Sequence, residues 1–180
     1  MQNNNIKTLE TLADQYLSEY RYKDAKGIYF KLISINPKNY IYLSRIAYIE
    51  LLLKNYEDSK SFFLKSISIC STYIDGYNCL GYIYKLQGDF IKARFYYNRA
   101  LCIDNCYTPA LTNLAVLIMH EEPKKALELL KKAQSINTES ADIYFNLGLA
   151  YTILKDYKQA IHFYIKAIHI KPNFILAIFN

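Results

Sequence analysis

The sequence predicts an all-α fold built from repeated helical hairpins, and three observations support this prediction. Apolar residues make up 52% of the 180 residues, which is enough for a core. Only 5 Gly and 4 Pro interrupt the chain, whereas an all-β fold needs frequent turns, so their scarcity favours long helices. Small residues also recur at fixed distances from aromatic ones, which is typical of helices that approach each other closely.

A pattern of large and small residues repeats every 34 residues. Residues 144–172 read YFNLGLAYTILKDYKQAIHFYIKAIHIKP, and residues 77–105 keep the same order of an aromatic residue, Leu, Gly and Tyr, followed by Ala, Tyr and Ala. The pattern divides the chain into units 6–39, 40–73, 74–107, 108–140 and 141–174, with a truncated sixth unit at 175–180. We therefore predict a single array that spans residues 1–180.

Each unit predicts a first helix, a short turn and a second helix. The first helices are expected at about 7–19, 41–53, 75–87, 109–120 and 142–154. In the fifth unit, Gly148 and Ala160 let the two helices close up, and Ala167 lets the next hairpin nest against this one. The fourth unit lacks one residue, which falls in the turn before Pro123.

The second unit is the least regular. Glu50 stands where the repeat pattern has an aromatic residue on the first helix. We therefore expect looser packing in this hairpin, within the same fold.

The 34-residue unit resembles the tetratricopeptide repeat, and the resemblance covers residues 6–174. It implies a right-handed superhelical solenoid of about five hairpins, whose concave wall is lined by the first helices. It also implies that the fifth, sixth and ninth places of each unit face this groove. The expected function is a protein-interaction scaffold that binds an extended peptide segment of a partner protein in the groove.

Asn residues recur at the sixth place, which holds Thr11, Arg45, Cys79, Asn113 and Asn146, with Asn180 at the same place in the sixth unit. An Asn amide offers both a donor and an acceptor, as clamping a peptide backbone requires. The stretches TNLA and FNLG resemble the Asn ladder of O-linked N-acetylglucosamine transferases. The alternative is that Asn is a tolerated polar residue in an Asn-rich sequence.

Two Tyr residues, Tyr48 and Tyr82, follow one another at the ninth place of adjacent units, with Asn78 and Thr112 at the fifth place nearby. A Tyr in a groove supplies a large contact area at low entropy cost, so these residues form a candidate anchor site for a peptide. The alternative is that both Tyr side chains reach over the neighbouring hairpin.

The sequence contains no motif for catalysis, a metal or a cofactor. Its four Cys form no CxxC pair and are followed by no His at zinc-finger spacing, and its three His lie in no HExxH frame. We therefore predict that this chain is not an enzyme and needs no cofactor. The prediction concerns this chain alone, and a catalytic domain beyond residue 180 stays open.

Charge and hydropathy address the other partner classes. The first helices and adjacent residues hold 4 basic and 8 acidic residues, which leaves 18 basic and 8 acidic residues elsewhere. A basic outer face is usually a solvated one, and glycine–aromatic motifs for bases are absent, so we do not expect nucleic-acid binding. A clamp for a peptide's terminal carboxylate, as in heat-shock co-chaperones with these repeats, needs Lys and Asn on the first helix of the first repeat. Glu10 and Asp14 stand at the matching places and would repel a carboxylate, so we do not expect such a clamp. No signal peptide or run of about 18 apolar residues is present, which predicts no membrane partner and an intracellular protein, cytoplasmic or nuclear.

Three functions remain open from the sequence. The first is the peptide-binding scaffold. The second is the substrate-recognition arm of a larger enzyme, such as a glycosyltransferase similar to the O-linked N-acetylglucosamine transferases. The third is an assembly subunit of the kind found in the anaphase-promoting complex. The apolar end PNFILAIFN also predicts self-association, because an uncapped repeat exposes the surface meant for its neighbour.

Overall fold

The computed structural model describes residues 2–174 and residue 177, with side chains from Asn5 onward. It divides into two compact units, Met1–Ile83 and Tyr84–Asn180. From here on, the first unit and the second unit mean these two halves, and the 34-residue segments are called repeats. The described residues form ten α-helices and no strand, which confirms the all-α prediction. The helices are α1 (Gln2–Ser18), α2 (Tyr22–Ile35), α3 (Tyr40–Leu52), α4 (Tyr56–Ile69), α5 (Ile74–Leu86), α6 (Phe90–Ile103), α7 (Thr108–Ile118), α8 (Pro123–Ile136), α9 (Ala141–Ile153) and α10 (Tyr157–Ile170).

Within the first unit, α1 packs against α2, α2 against α3 and α3 against α4. Within the second unit, α6 packs against α7, α7 against α8, α8 against α9 and α9 against α10. Helices that pack in this way on their sequence neighbours form a helical repeat. The repeat architecture is therefore confirmed, while the repeat boundaries and the single array over residues 1–180 stay predictions.

Local sequence signals explain where several helices begin. Asn39, Asp89 and Asp156 cap α3, α6 and α10, since their side chains accept backbone N–H bonds at 3.0, 3.0 and 3.2 Å. These bonds satisfy donors that the first turn of a helix leaves without an intrahelical partner. Pro109 and Pro123 occupy the first turns of α7 and α8, where no N–H is needed.

Four of the turns inside hairpins share one backbone geometry. Each contains a residue in the left-handed region: Tyr20 (φ 59°), Lys54 (φ 62°), Gly88 (φ 79°) and Lys155 (φ 62°). The N–H of the next residue then donates back to the preceding helix, as Asn55 N–H does to the Glu50 carbonyl at 2.8 Å. This arrangement satisfies carbonyls at the helix C-terminus.

The turn between α7 and α8 differs from these four. Helix α7 has 11 residues, whereas α3, α5 and α9 have 13 each. Its turn closes through the Glu122 N–H, which donates to the Ile118 carbonyl at 2.7 Å. The residue missing from the fourth repeat, 108–140, thus corresponds to a shorter first helix and a different turn.

The small residues of the fifth hairpin lie where the sequence predicts close approach. An added Cβ on Gly148 would lie 2.4 Å from Cε1 of Tyr164, closer than carbon atoms pack. Ala160 and Ala167, on the second helix, are buried. Gly148 therefore allows α9 to close against the Tyr164 ring of α10.

The expected loosening of the second hairpin is wrong. Glu50 is 2% exposed and Ser59 and Ser66 are fully buried. The Glu50 carboxylate accepts hydrogen bonds from Lys26 Nζ at 2.7 Å and from Asn55 Nδ2 at 2.8 Å. Ser59 Oγ donates to the Ala47 carbonyl at 2.7 Å. These hydrogen bonds satisfy the buried polar groups of Glu50 and Ser59, so both residues are held in the core without access to solvent.

Candidate functional site

The first unit contains a cavity of about 430 Å³ that opens on the faces of α3 and α5. It brings together two of the predicted site residues, Arg45 and Tyr48, whose side chains are exposed. The residues that line it are Tyr40, Ile41, Ser44, Arg45, Tyr48, Tyr73, Asp75 and Cys79. This lining combines aromatic surface with one basic and one acidic side chain, which is a composition suited to a peptide side chain.

The aromatic wall of this cavity is held in place by its neighbours. The rings of Tyr40 and Tyr73 lie with their centroids 5.0 Å apart at an angle of 54°. Burial raises the pKa of Tyr73, although a hydrogen bond with Ser44 acts in the opposite direction. Burial also raises the pKa of Cys79 to about 12, so this thiol stays protonated and is a poor nucleophile near neutral pH.

Arg45 also lines a smaller cavity of about 160 Å³ that contains Glu10 and Asp14. Tyr42 Oη donates to Glu10 at 2.7 Å, and Tyr29 Oη donates to Asp14 at 3.1 Å. Burial, followed by the hydrogen bond to Glu10, raises the pKa of Tyr42 to about 12, which keeps it a donor. Two carboxylates held in this way give this end of the first unit an acidic character.

The second unit contains a cavity of about 530 Å³ between α7 and α9. It brings together three of the predicted site residues, Thr112, Asn113 and Asn146, all of them half-buried. The residues that line it are Lys85, Thr108, Pro109, Thr112, Asn113, Val116, Asn137, Ser140, Asp142, Ile143, Phe145, Asn146 and Phe174. Two amide side chains from successive first helices thus line a single open cavity.

The remaining two predicted residues, Asn78 and Tyr82, lie on α5 and line neither cavity. Asn78 is half-buried and Tyr82 is 38% exposed. The role of all seven candidate residues in binding stays a prediction.

Sequence reasoning missed the second place of the repeat unit. Ile41 and Asp75 stand at this place in the first unit's cavity, and Pro109 and Asp142 stand at it in the second unit's cavity. The second place precedes the fifth and sixth by three and four residues, which puts all three on one helix face. Helical spacing was therefore the signal that could have found these residues.

Asn180 and most of the apolar end predicted to self-associate lie outside the described residues, and of its apolar side chains beyond Pro172 the structure describes Phe174 and Ala177. Both of these are buried. The Phe174 ring packs against Phe145, with the centroids 5.1 Å apart, and Lys171 Nζ lies 5.2 Å from its centroid. Phe174 therefore completes the second unit's own core.

In the part of the chain that the structure describes, no three His, Cys, Asp or Glu residues cluster as metal ligands would. His120, His162 and His169 are all exposed. The helices within residues 2–174 lack the length and apolarity that crossing a membrane requires.

Among curated proteins, the chain is similar to BBSome complex member BBS4 from Bos taurus. The two are 24% identical over 147 residues, which cover 81% of this chain. The chain spans 28% of the length of that relative.

Solved structures show the same fold at low sequence identity. One is a chain of the APC/C hetero-tetramer Cut9-Hcn1, with a TM-score of 0.83 and 18% identity, covering 93% of this chain and 34% of that one. Another is YrrB, described as a TPR protein with an unusual peptide-binding site, with a TM-score of 0.70 and 19% identity, covering 94% of this chain and 88% of that one.

Family models for the tetratricopeptide repeat match residues 41–73, 62–95 and 141–174. Each match is 33 or 34 residues long, close to the 34-residue period, and those at 41–73 and 141–174 each span one helical hairpin. The chain therefore belongs to the tetratricopeptide-repeat family, whose members are scaffolds for protein–protein interaction.

Proposed function

We propose that this chain binds an extended segment of a partner protein on the open face of its first helices. The observation that carries the proposal is that Thr112, Asn113 and Asn146 line a single cavity of about 530 Å³ in the second unit. We place this activity inside the cell, with a protein as the partner rather than nucleic acid or a membrane.

The amide side chains suit the backbone of an extended peptide. Asn113 and Asn146 stand at the same place in successive first helices, and α7 contacts α9. Packed helices have axes about 10 Å apart, and an extended chain advances roughly 3.3 Å per residue. Two amides at this spacing match backbone groups about three residues apart, so they hold the chain without reading its side chains.

The first unit by itself offers a separate candidate peptide site, with contacts of a different kind. Tyr48 is 48% exposed and lies beside Arg45 in a cavity with an aromatic wall. An exposed Tyr next to an Arg offers an apolar face and a charge-assisted donor, which favour particular side chains of the bound segment. Asn78 and Tyr82 on α5 are included in the proposal as further contacts.

A selection experiment tests this function. Linear peptides are selected on the folded chain from a displayed random library, and their dissociation constants are measured by fluorescence anisotropy. Replacing both Asn113 and Asn146 by Ala should weaken binding by about 1 to 3 kcal/mol while leaving the unfolding midpoint unchanged. The matched control is Asn98→Ala, which removes an exposed amide from α6 in the same unit.

Two results would contradict the proposal. One is a folded Asn113→Ala, Asn146→Ala variant that binds the selected peptides as tightly as the unaltered chain. The other is an equal loss in the Asn98→Ala control. A recognition arm of a glycosyltransferase would show the same dependence on both Asn residues, but it additionally requires a catalytic domain in the same polypeptide.

A second candidate function, an assembly subunit, is favoured by the outer face of α6. Ile91 is 86% exposed and Phe95 is 57% exposed. The corresponding places in the other second helices are polar or glycine: Lys23 and Gly27, Glu57 and Ser61, Lys124 and Glu128, and Lys158 and His162. This candidate predicts a stable stoichiometric complex that is released by Ile91→Ser with Phe95→Ser, and not by the two Asn substitutions.

A further inference from the structure

Helix α3 carries apolar side chains along a face that the first unit leaves open. Ile41, Tyr48 and Leu52, which form the α3 stripe, are between 43% and 48% exposed. They stand seven and four residues apart, so they lie in one line along the helix over about 16 Å. The opposite side of α3 is buried in the core of the first unit. The helix is therefore apolar on two sides, although the fold covers one of them.

The α3 stripe is particular to this helix. The other first helices have a polar or charged residue in at least one of the three matching places. These places hold Lys7, Asp14 and Ser18 in α1, Asp75, Tyr82 and Leu86 in α5, Pro109, Val116 and His120 in α7, and Asp142, Leu149 and Ile153 in α9. A helix that is apolar all round is normally buried, so the open stripe is a candidate interaction surface.

Two cavities of the first unit adjoin the α3 stripe. Ile41 and Tyr48 line the cavity of about 430 Å³, which extends to α5. Ile41 also lines the cavity of about 160 Å³, which extends to Glu10 and Asp14 on α1. Arg45, in line with the stripe, contributes to both cavities. A ligand that packs on the stripe thus has room for side chains on either side of α3.

The charges beside the stripe favour a basic ligand. The residues that line the two cavities include three acidic side chains, Glu10, Asp14 and Asp75, and one basic side chain, Arg45. A Tyr hydroxyl donates to Glu10 at 2.7 Å and another donates to Asp14 at 3.1 Å. Each carboxylate has acceptor positions for further donors, so both can also accept hydrogen bonds from a ligand.

The shape of this surface suits a helix better than an extended chain. The sixth places of the first unit hold Thr11, Arg45 and Cys79, so it lacks the two amides that suit an extended backbone in the second unit. A straight apolar stripe along one helix matches the apolar stripe of another, in which residues recur every three or four places.

We propose that the open face of α3 binds a basic amphipathic helix of a partner protein. The apolar side of this helix packs against the α3 stripe, and its Lys or Arg side chains lie at Glu10 and Asp14. The proposal concerns the first unit alone and goes beyond the backbone binding proposed for the second unit, so either one can hold without the other.

A designed peptide tests the apolar contact on the full chain. The probe is an amphipathic helix of about 16 residues with Leu at the spacing of the α3 stripe and Lys on either side. Leu52→Ser should weaken its binding by about tenfold in fluorescence anisotropy, because the apolar contact is lost. Leu64→Ser is the matched control, since Leu64 is 39% exposed and lies on α4, away from the stripe. A scrambled peptide of the same composition should bind about tenfold more weakly.

Two results would overturn the helical docking. One is a probe that binds the Leu52→Ser variant as tightly as the unaltered chain. The other is a scrambled peptide that binds as tightly as the probe. Neither result bears on Asn113 and Asn146, so the proposed function would stand.

A double-mutant cycle tests the charge contact. Glu10→Gln with Asp14→Asn should weaken binding of the Lys probe by about tenfold at low salt and leave a version with Gln in place of Lys unaffected. Asp58→Asn with Glu139→Gln removes the same charge from exposed places that line neither cavity. Equal losses in this control would overturn the basic class of ligand, because attraction to the whole protein would then explain the binding.

Discussion

The second hairpin, α3–α4, and the fifth, α9–α10, have the same backbone plan but different cores. Their helices have equal lengths, 13 and 14 residues, and each turn contains a Lys with φ 62°. Where the fifth hairpin has Tyr151, Ala160 and Ala167, the second has Glu50, Ser59 and Ser66. The comparison shows how far one fold tolerates chemically opposite residues at core positions.

The fifth hairpin is held by aromatic packing. The Phe163 ring lies parallel to that of Tyr151, with centroids 5.4 Å apart and an angle of 8°. Tyr164 is buried and its hydroxyl lies 3.1 Å from that of Thr152. The Tyr164 ring leaves no room for a Cβ atom at residue 148, which explains why this residue is Gly.

The second hairpin is held by satisfied polar groups. Glu50 has two hydrogen-bond partners, Lys26 from α2 and Asn55 from its own turn. The bond to Lys26 also ties the first hairpin to the second. The difference between the hairpins therefore teaches that volume is the constraint in one and hydrogen-bond completeness is the constraint in the other.

The largest expected effect tests the volume constraint. Gly148→Ala should destabilise the protein by about 2 to 3 kcal/mol, because the new Cβ would lie 2.4 Å from the Tyr164 ring, which is itself buried. The measurement is the free energy of unfolding by urea.

Gly27→Ala is the matched control for this substitution. Gly27 lies within α2 and nothing lies within 4 Å of an added Cβ. This variant should be stabilised by about 0.5 to 1 kcal/mol, since Ala favours the helix. Equal changes in both variants would show that helix propensity, and not the Tyr164 contact, decides the residue at place 148.

The next effect tests hydrogen-bond completeness. Lys26→Met should cost about 1.5 to 3 kcal/mol, because it leaves the Glu50 carboxylate buried with one partner fewer. Adding Glu50→Leu to that variant should recover most of the loss, since the buried charge is then gone. A double variant no more stable than Lys26→Met alone would contradict this account.

A smaller effect depends on pH. Burial raises the pKa of Glu50, but the hydrogen bonds from Lys26 and Asn55 and the Lys26 charge outweigh it, so the pKa lies below its ordinary 4.5. A group with a lowered folded pKa contributes stability above its unfolded pKa and loses it as the pH falls below 4.5. Urea midpoints should thus fall more steeply in this range for the unaltered chain than for Glu50→Gln, with the exposed Glu139→Gln as control.

Much of this comparison could be predicted from the sequence, and the rest could not. The period and the small residues predicted the hairpins and the close approach at Gly148. The presence of Glu50 at a place where the repeat has an aromatic residue predicted an irregular core. The sequence did not predict its partner, because Lys26 lies 24 residues away and no local pattern connects the two.

The candidate site shows the same limit. Place in the repeat predicted that Asn113 and Asn146 would share a surface, because the period alone aligns them. An apolar crevice of about 440 Å³, lined by Phe90 and Ile118 among others, lies beside the turn between α7 and α8. It depends on how one shortened helix and its turn pack, which the repeat pattern does not encode.

The smallest expected effect concerns the feature that the two hairpins share. Lys54 and Lys155 both adopt φ 62°, a conformation in which an L-residue is strained and glycine is not. Lys54→Gly and Lys155→Gly should each stabilise the protein by about 0.5 to 1 kcal/mol, and Gly88→Lys, at φ 79°, should destabilise it by a similar amount. Because the turn geometry is local, the gain should be equal in the polar and the aromatic hairpin, as measured by urea unfolding. A gain at one Lys and a loss at the other would mean that the core of each hairpin, rather than the turn itself, sets this backbone conformation.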